Sequence, residues 1–268
     1  MTKELEVINK LKLITKHQNI KLTHRGSAAI FLALEALKKL VKEPILLVPD
    51  QGCYRIHEYT QTLGIKVKEL KTNFGIIEPA TLSKDVRAAT ALFFSSFAGH
   101  FAEQPIFEIA TVCKAEKCLL IEDATDAICD KTLCNGFLSD VIVASFGKES
   151  SINANSGGFV SSKNKAIQDS INNKLLPINA PNVFYDELLA KLNPRRLNYL
   201  CDLASQIKRD LNKFKIIHQD KRGVNVVTEL NPLIIDYCKK REHGYTICPD
   251  YEIINERAIS IELRKLQW

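Results

Sequence analysis

The sequence lacks any apolar run long enough to cross a bilayer. Its longest runs, Ala88–Phe97 and Val141–Phe146, fall well short of the roughly 20 residues that a spanning helix needs. The N-terminus, MTKELEVINK, mixes charges of both signs and has no apolar core. It does not read as a signal peptide, and the expected location is the cytoplasm. None of the eight cysteines forms a C-x-x-C pair. Cys113/Cys118 and Cys129/Cys134 are each separated by four residues, a weak metal-ligand spacing. The thiols are read as small hydrophobes, and no metal site is assigned. Zinc-finger spacing, an RNP motif and basic–aromatic repeats are all missing, so nothing specifies nucleic acid. No G-x-G-x-x-G follows a strand, which counts against a plain dinucleotide fold. Internal repeats and low-complexity tracts are absent as well.

What is present is an ordinary folded composition. Of 268 residues, 46% are hydrophobic and 25% charged, enough for one large domain plus a small one. The net charge of +6, from 37 Lys+Arg against 31 Asp+Glu, is spread mostly as lysines on helix-like stretches. It reads as a solvated surface.

Periodicity predicts an amphipathic helix in the first 20 residues and a strong helix starting at Gly26–Ser27 and running through Leu40. Buried-type strands are expected at Ile45–Pro49, Ile65–Leu70, Ala89–Phe97, Cys118–Thr125, Val141–Gly147 and Gly157–Ser162. Helices fall between them: one stopped at Gly64, one around Leu82–Arg87, and one opened by Pro105. Alternating strands and helices of this kind predict an α/β three-layer sandwich with a mixed, mostly parallel sheet. After about Ala166 the pattern changes. Helices at Lys165–Leu175 and Arg195–Lys213 precede short strand candidates in KIIHQ, NVVTEL, YTICP and ISIELRKL, with a helix at Pro232–Arg241 between them. The expected division is a large domain over 1–165 and a small α+β domain over 166–268.

In such a fold the loops at the carboxyl ends of the strands form the ligand crevice. Those ends carry Glu122, Asp123 and Asp126, then Ser145-Phe-Gly-Lys148. The helix starting at Gly26–Ser27 offers free amides for an anion. These are the parts that pyridoxal 5′-phosphate requires. Lys148 is the candidate Schiff-base amine, its charge disfavoured in a dry crevice. Gly26, Ser27, Ala28 and the Ser145 hydroxyl are the candidate phosphate cradle. Asp123 is the candidate partner of the pyridine nitrogen. Tyr54, after the turn that follows Pro49, is a candidate for stacking on the ring. Arg257 and Arg264 are weaker candidates for gripping a carboxylate, and His24, His57 and His100 read as surface or core histidines.

The chain resembles the fold-type I pyridoxal phosphate superfamily, and within it the DegT/StrS-type sugar aminotransferase family. RGSAAIFLALEAL is similar to that family's S-G-T-x-A-L segment, and LLIEDATDAI to its V-I-E-D-A-A-Q-A. SDVIVASFGKESSINANSGGFVSSKN is similar to its S-F-x-x-x-K … G-G region. The order holds over about Thr23–Asn164. The resemblance implies an aminotransferase that uses an amino-acid donor and a carbonyl acceptor and works as a homodimer, with Asn153 and Asn155 reaching the partner subunit's phosphate site. It places Asp126 where Gln or His meets the cofactor's phenolic oxygen. Two departures stand out: SFGK is contracted relative to the family, and the C-terminal domain is reduced. Alternatives left open are a lyase on the same cofactor and a catalytically degenerate chain that keeps the fold for binding or assembly.

Overall fold

The structure is a computed structural model and describes residues 2–53, 55–172, 184–249 and 254–267. In chain order the first part comprises α1 (Lys3–Thr15), β1 (Asn19–Thr23), α2 (Gly26–Leu40), β2 (Ile45–Pro49), α3 (Arg55–Leu63), β3 (Lys66–Leu70), α4 (Pro79–Val86) and β4 (Ala91–Ser95). A two-stranded ribbon, β5 (Phe97–Ala98) and β6 (Ala102–Glu103), precedes α5 (Ile106–Ala115). Then come β7 (Leu119–Asp123), β8 (Val141–Ser145), β9 (Gly158–Ser162) and α6 (Lys165–Asn172). The remainder holds α7 (Tyr185–Lys191), α8 (Arg195–Asp210), β10 (Val226–Glu229), α9 (Pro232–Lys240), β11 (Tyr245–Cys248) and β12 (Ala258–Ile261).

The main sheet has seven strands in the order β1-β9-β8-β7-β4-β2-β3. The run from β3 to β8 is parallel, β9 joins β8 antiparallel, and β1 joins β9 antiparallel. Side chains alternate between two apolar layers, as the pleat requires. Leu47, Phe94, Leu120 and Ile142 pack with Leu11 of α1, Ile109 of α5 and Leu200 of α8. Leu46, Phe93, Ile121 and Val143 face α2, Ile56 of α3 and Ile167 of α6. The α/β three-layer sandwich with a mixed, mostly parallel sheet is therefore the observed fold. The C-terminal part forms a separate antiparallel sheet in the order β10-β12-β11. Its α8 packs into the same apolar cluster as the large sheet.

Several elements differ from the periodicity. The first helix ends at Thr15, where Lys16 takes a left-handed conformation (φ 60°). The next residues form the edge strand β1, which the sequence reading did not separate from its surroundings. Helix α7 is also new. Of the KIIHQ segment, only Ile216 makes a bridge, to Thr228. Six of the eight cysteines are buried. Among the described residues no helix is long and apolar enough to cross a membrane.

Candidate ligand-binding site

Helix α2 begins directly over the ends of β8 and β9, and two glycines allow it. A Cβ on Gly26 would lie 2.6 Å from the Ser145 Cβ. A Cβ on Gly158 would lie 2.6 Å from the Ala144 carbonyl oxygen and 2.9 Å from the Gly26 nitrogen. The chain is also stitched here by Gly157 N–H donating to the His24 carbonyl at 3.0 Å. No side chain caps α2, and its first turn carries no acidic residue. Its first helical bond is from Ala29 N–H to the Arg25 carbonyl. The amides of Gly26, Ser27 and Ala28 thus stand at an open, partially positive helix end.

Asp123, the last residue of β7, lines the same hollow as this end. Its Oδ1 accepts from Thr125 N–H at 3.0 Å and from the Thr125 hydroxyl at 2.6 Å. Thr125 Oγ1 in turn accepts from Ser145 N–H at 3.0 Å. This chain of bonds fixes the ends of β7 and β8 relative to each other. Burial pushes the Asp123 carboxyl above its ordinary range, against the pull of the Thr125 bonds. The space between Asp123 and α2 is a hollow of about 330 Å³, with Ser27, Arg25, Arg55, Thr125 and Ser145 among its lining residues. The structure brings Gly26, Ser27, Asp123 and Ser145 together there, with Ala28 buried in the same helical turn. Sequence reasoning missed Thr125, Arg25 and Arg55. Thr125 stands two residues after Asp123, the spacing of an Asx turn, and that signal could have found it.

Other expected residues lie elsewhere. Tyr54 is outside the described residues. Lys148 is exposed and lines a different hollow of about 430 Å³, with Asn153, Asn155, Lys191 and Lys265. It stands in a tight turn: Ser150 N–H donates to the Gly147 carbonyl at 3.0 Å, and the Ser150 hydroxyl donates to the same oxygen at 2.8 Å. The dry surroundings expected of this lysine are not found, because a turn of this kind projects its corner residues outward. Asn153 keeps company with Lys148 rather than with the hollow at α2.

Asp126 is buried and already engaged. Its Oδ2 lies 2.6 Å from His100 Nδ1, and Arg264 Nη1 lies 3.3 Å from its Oδ1. Burial would raise its carboxyl, but Arg264 and His100 outweigh that and hold it at about 2. Arg264 is itself only 5% exposed and also donates to the Glu149 carbonyl at 3.2 Å. An internal carboxylate thus occupies the arginine considered for a substrate carboxylate. Arg257 is exposed. His57 lines a smaller cavity of about 200 Å³ at the ends of β2 and β4.

No family model matches the chain, and no curated protein matches it either. Solved structures do. An alanine–glyoxylate aminotransferase from Nostoc sp. superposes with a TM-score of 0.73 at 13% identity, covering 97% of this chain and 81% of that one. A ureidoglycine–glyoxylate aminotransferase from Bacillus subtilis gives 0.73 at 13%, covering 97% and 78%. Helicobacter pylori PseC, an aminotransferase of pseudoaminic acid biosynthesis, gives 0.71 at 12%, covering 98% and 86%. The chain shares the fold of these aminotransferases. At such identities the likeness extends to the fold alone.

Proposed function

We propose that this protein binds pyridoxal 5′-phosphate in the hollow between α2 and the ends of β7 and β8, and that small amino and carbonyl compounds are its substrates there. The observation that carries the reading is that Asp123 and the open N-terminus of α2 line one hollow. A phosphate dianion suits the helix end, where amides and the Ser27 hydroxyl donate. A protonated pyridine nitrogen suits Asp123, because a carboxylate facing it accepts a charge-assisted hydrogen bond. When bound, the cofactor supplies an electron-withdrawing ring for amino-group chemistry. The DegT/StrS-type motifs support an amino-acid donor, a carbonyl acceptor and a homodimer.

The residues fit two of the cofactor's three requirements. The amine is the exception, since Lys148 lies outside the hollow. Among the described residues that line the hollow, none supplies an amine for a covalent link. That same position of Lys148 favours a second reading, in which the chain is a catalytically degenerate binding module on this fold.

Titration with pyridoxal 5′-phosphate tests the site, with Ser27→Asp as the control. The variant puts a carboxylate where the phosphate would lie, while acid in a first helical turn keeps the helix stable. Wild type should bind and the variant should lose at least about tenfold in affinity, about 1.4 kcal/mol. Equal affinities, or no binding by wild type, would remove the reading.

A further inference from the structure

The turn that carries Lys148 is fastened on both sides. Ser151 N–H and the Ser151 hydroxyl donate to the Thr125 carbonyl at 3.3 and 3.2 Å. Arg264 holds the Glu149 carbonyl through Nη1 at 3.2 Å, and its Nη2 lies 3.6 Å from Glu149 Oε2. Ser150 and Ser151 are buried, whereas Lys148 and Glu149 at the corners are exposed. Only Phe146 and Gly147 separate Ser145, in the hollow, from Lys148, outside it. The Ser150, Ser151 and Arg264 bonds thus pin the backbone of this turn, with Lys148 lining the other hollow. Among the described residues that line the hollow, none is a lysine.

We infer that this chain holds its phosphorylated pyridine reversibly, through the phosphate at α2 and the ring nitrogen at Asp123, with no covalent link to the chain. The inference rests on the reading that the hollow takes such a ligand. It changes the ligand class: an aldehyde is no longer required. Pyridoxamine 5′-phosphate and pyridoxine 5′-phosphate present the same phosphate and the same ring nitrogen as pyridoxal 5′-phosphate. They should bind as well as the aldehyde does. A chain that captured the aldehyde covalently would instead prefer it strongly.

Equilibrium titration of the full chain with these three ligands and with inorganic phosphate decides the matter, repeated with Lys148→Ala. A surface lysine at a turn corner contributes little to the fold, so the variant should be well folded. The expected result is three pyridine ligands within about threefold of one another, which is under 1 kcal/mol, and unchanged values for the variant. Borohydride treatment of the pyridoxal complex, followed by peptide mass mapping, should leave Lys148 unmodified. A phosphopyridoxyl group fixed stoichiometrically on Lys148, or an aldehyde preference above about tenfold that Lys148→Ala abolishes, overturns the inference and leaves the site intact. Failure of all three pyridine ligands to bind overturns the site itself, and the inference with it.

Discussion

Arg264 and Asp126 form a buried ion pair that joins the C-terminal segment to the loop after β7, with 3.3 Å between Nη1 and Oδ1. His100 closes the other side of the carboxylate at 2.6 Å. The His100 carbonyl in turn accepts from the amides of Val224 and Asn225 at 2.8 and 3.0 Å. One carboxylate thus links the β5–β6 turn, the loop leaving β7 and the C-terminal end of the chain. It does so beside the hollow, since both Asp126 and His100 influence the ionisation of Asp123.

This pairing predicts a particular acid limb. The folded carboxyl of Asp126 titrates at about 2, below its value of about 3.9 in an unfolded chain. Its contribution is therefore fully present above pH 4 and is lost as pH falls through 2. A shift of that size corresponds to roughly 2–3 kcal/mol. Unfolding free energies of wild type and Asp126→Asn between pH 5 and 2 should converge by about that amount. Parallel curves would show that Asp126 is not held by its cations. Arg264→Met should be worse at neutral pH, costing roughly 3–5 kcal/mol, because it leaves the carboxylate buried without its guanidinium.

Gly26→Ala sets helix propensity against packing. In an exposed helix interior the change would stabilise by about 1 kcal/mol. Here the new Cβ would meet the Ser145 Cβ at 2.6 Å, and both are backbone-anchored atoms that cannot swing aside. Overpacking of this kind costs roughly 1–3 kcal/mol, so packing wins. Thermal unfolding should show a midpoint lower by several degrees, and ligand affinity should fall as α2 lifts from β8. A raised midpoint would mean the close approach is not as described.

The parts of this fold legible in the sequence are those decided locally. Strands such as Ile45–Pro49 and Val141–Ser145 are continuous apolar runs covered on both faces, and their boundaries were readable almost to the residue. Asp123 and Gly26 were readable because they end and begin strong elements. Strand β1 was not: NIKLT has a lysine at its centre and pairs on one side only, so its signal is weak. The surroundings of Lys148 were not legible either. Its turn is held by Arg264, which donates to the carbonyl of a residue 115 positions earlier, and no local pattern announces such a partner. The same long-range arginine decides the fate of Asp126.

Glu122 is a buried carboxylate with every contact used. Its Oε1 accepts from the Ser96 hydroxyl at 2.7 Å and from Cys134 N–H at 2.8 Å, and its Oε2 accepts from the Ser139 hydroxyl at 2.6 Å. Burial raises its carboxyl despite these donors. Glu122→Gln should be mild, within about 1 kcal/mol, since the amide oxygen keeps two donors and its NH2 can give to the Ser139 oxygen. Glu122→Ala strands the Cys134 amide and the Ser139 hydroxyl, while the Ser96 hydroxyl keeps the Asp123 carbonyl at 3.2 Å; with the cavity it leaves, it should cost roughly 3–5 kcal/mol. Chemical denaturation measures both. Comparable losses from the two substitutions would argue that the carboxylate's charge, rather than its hydrogen bonds, holds these segments.

Asp123→Asn separates the two ends of the hollow. Asparagine keeps an oxygen for Thr125 N–H and the Thr125 hydroxyl, so the ends of β7 and β8 should stay in place. What changes is the group facing the ligand ring: a carboxylate that favours a protonated pyridine nitrogen becomes a neutral amide. A charge-assisted hydrogen bond is roughly twice as strong as a neutral one, and losing it should weaken pyridoxine 5′-phosphate by about tenfold, near 1.4 kcal/mol. On the proposed reading inorganic phosphate would touch only the α2 end, so its affinity should not fall; removing a nearby negative charge should help it. Lower affinity for both ligands would mean that the substitution disturbs the whole hollow. No change for either would mean that Asp123 does not face the ring, and that the pyridine lies elsewhere.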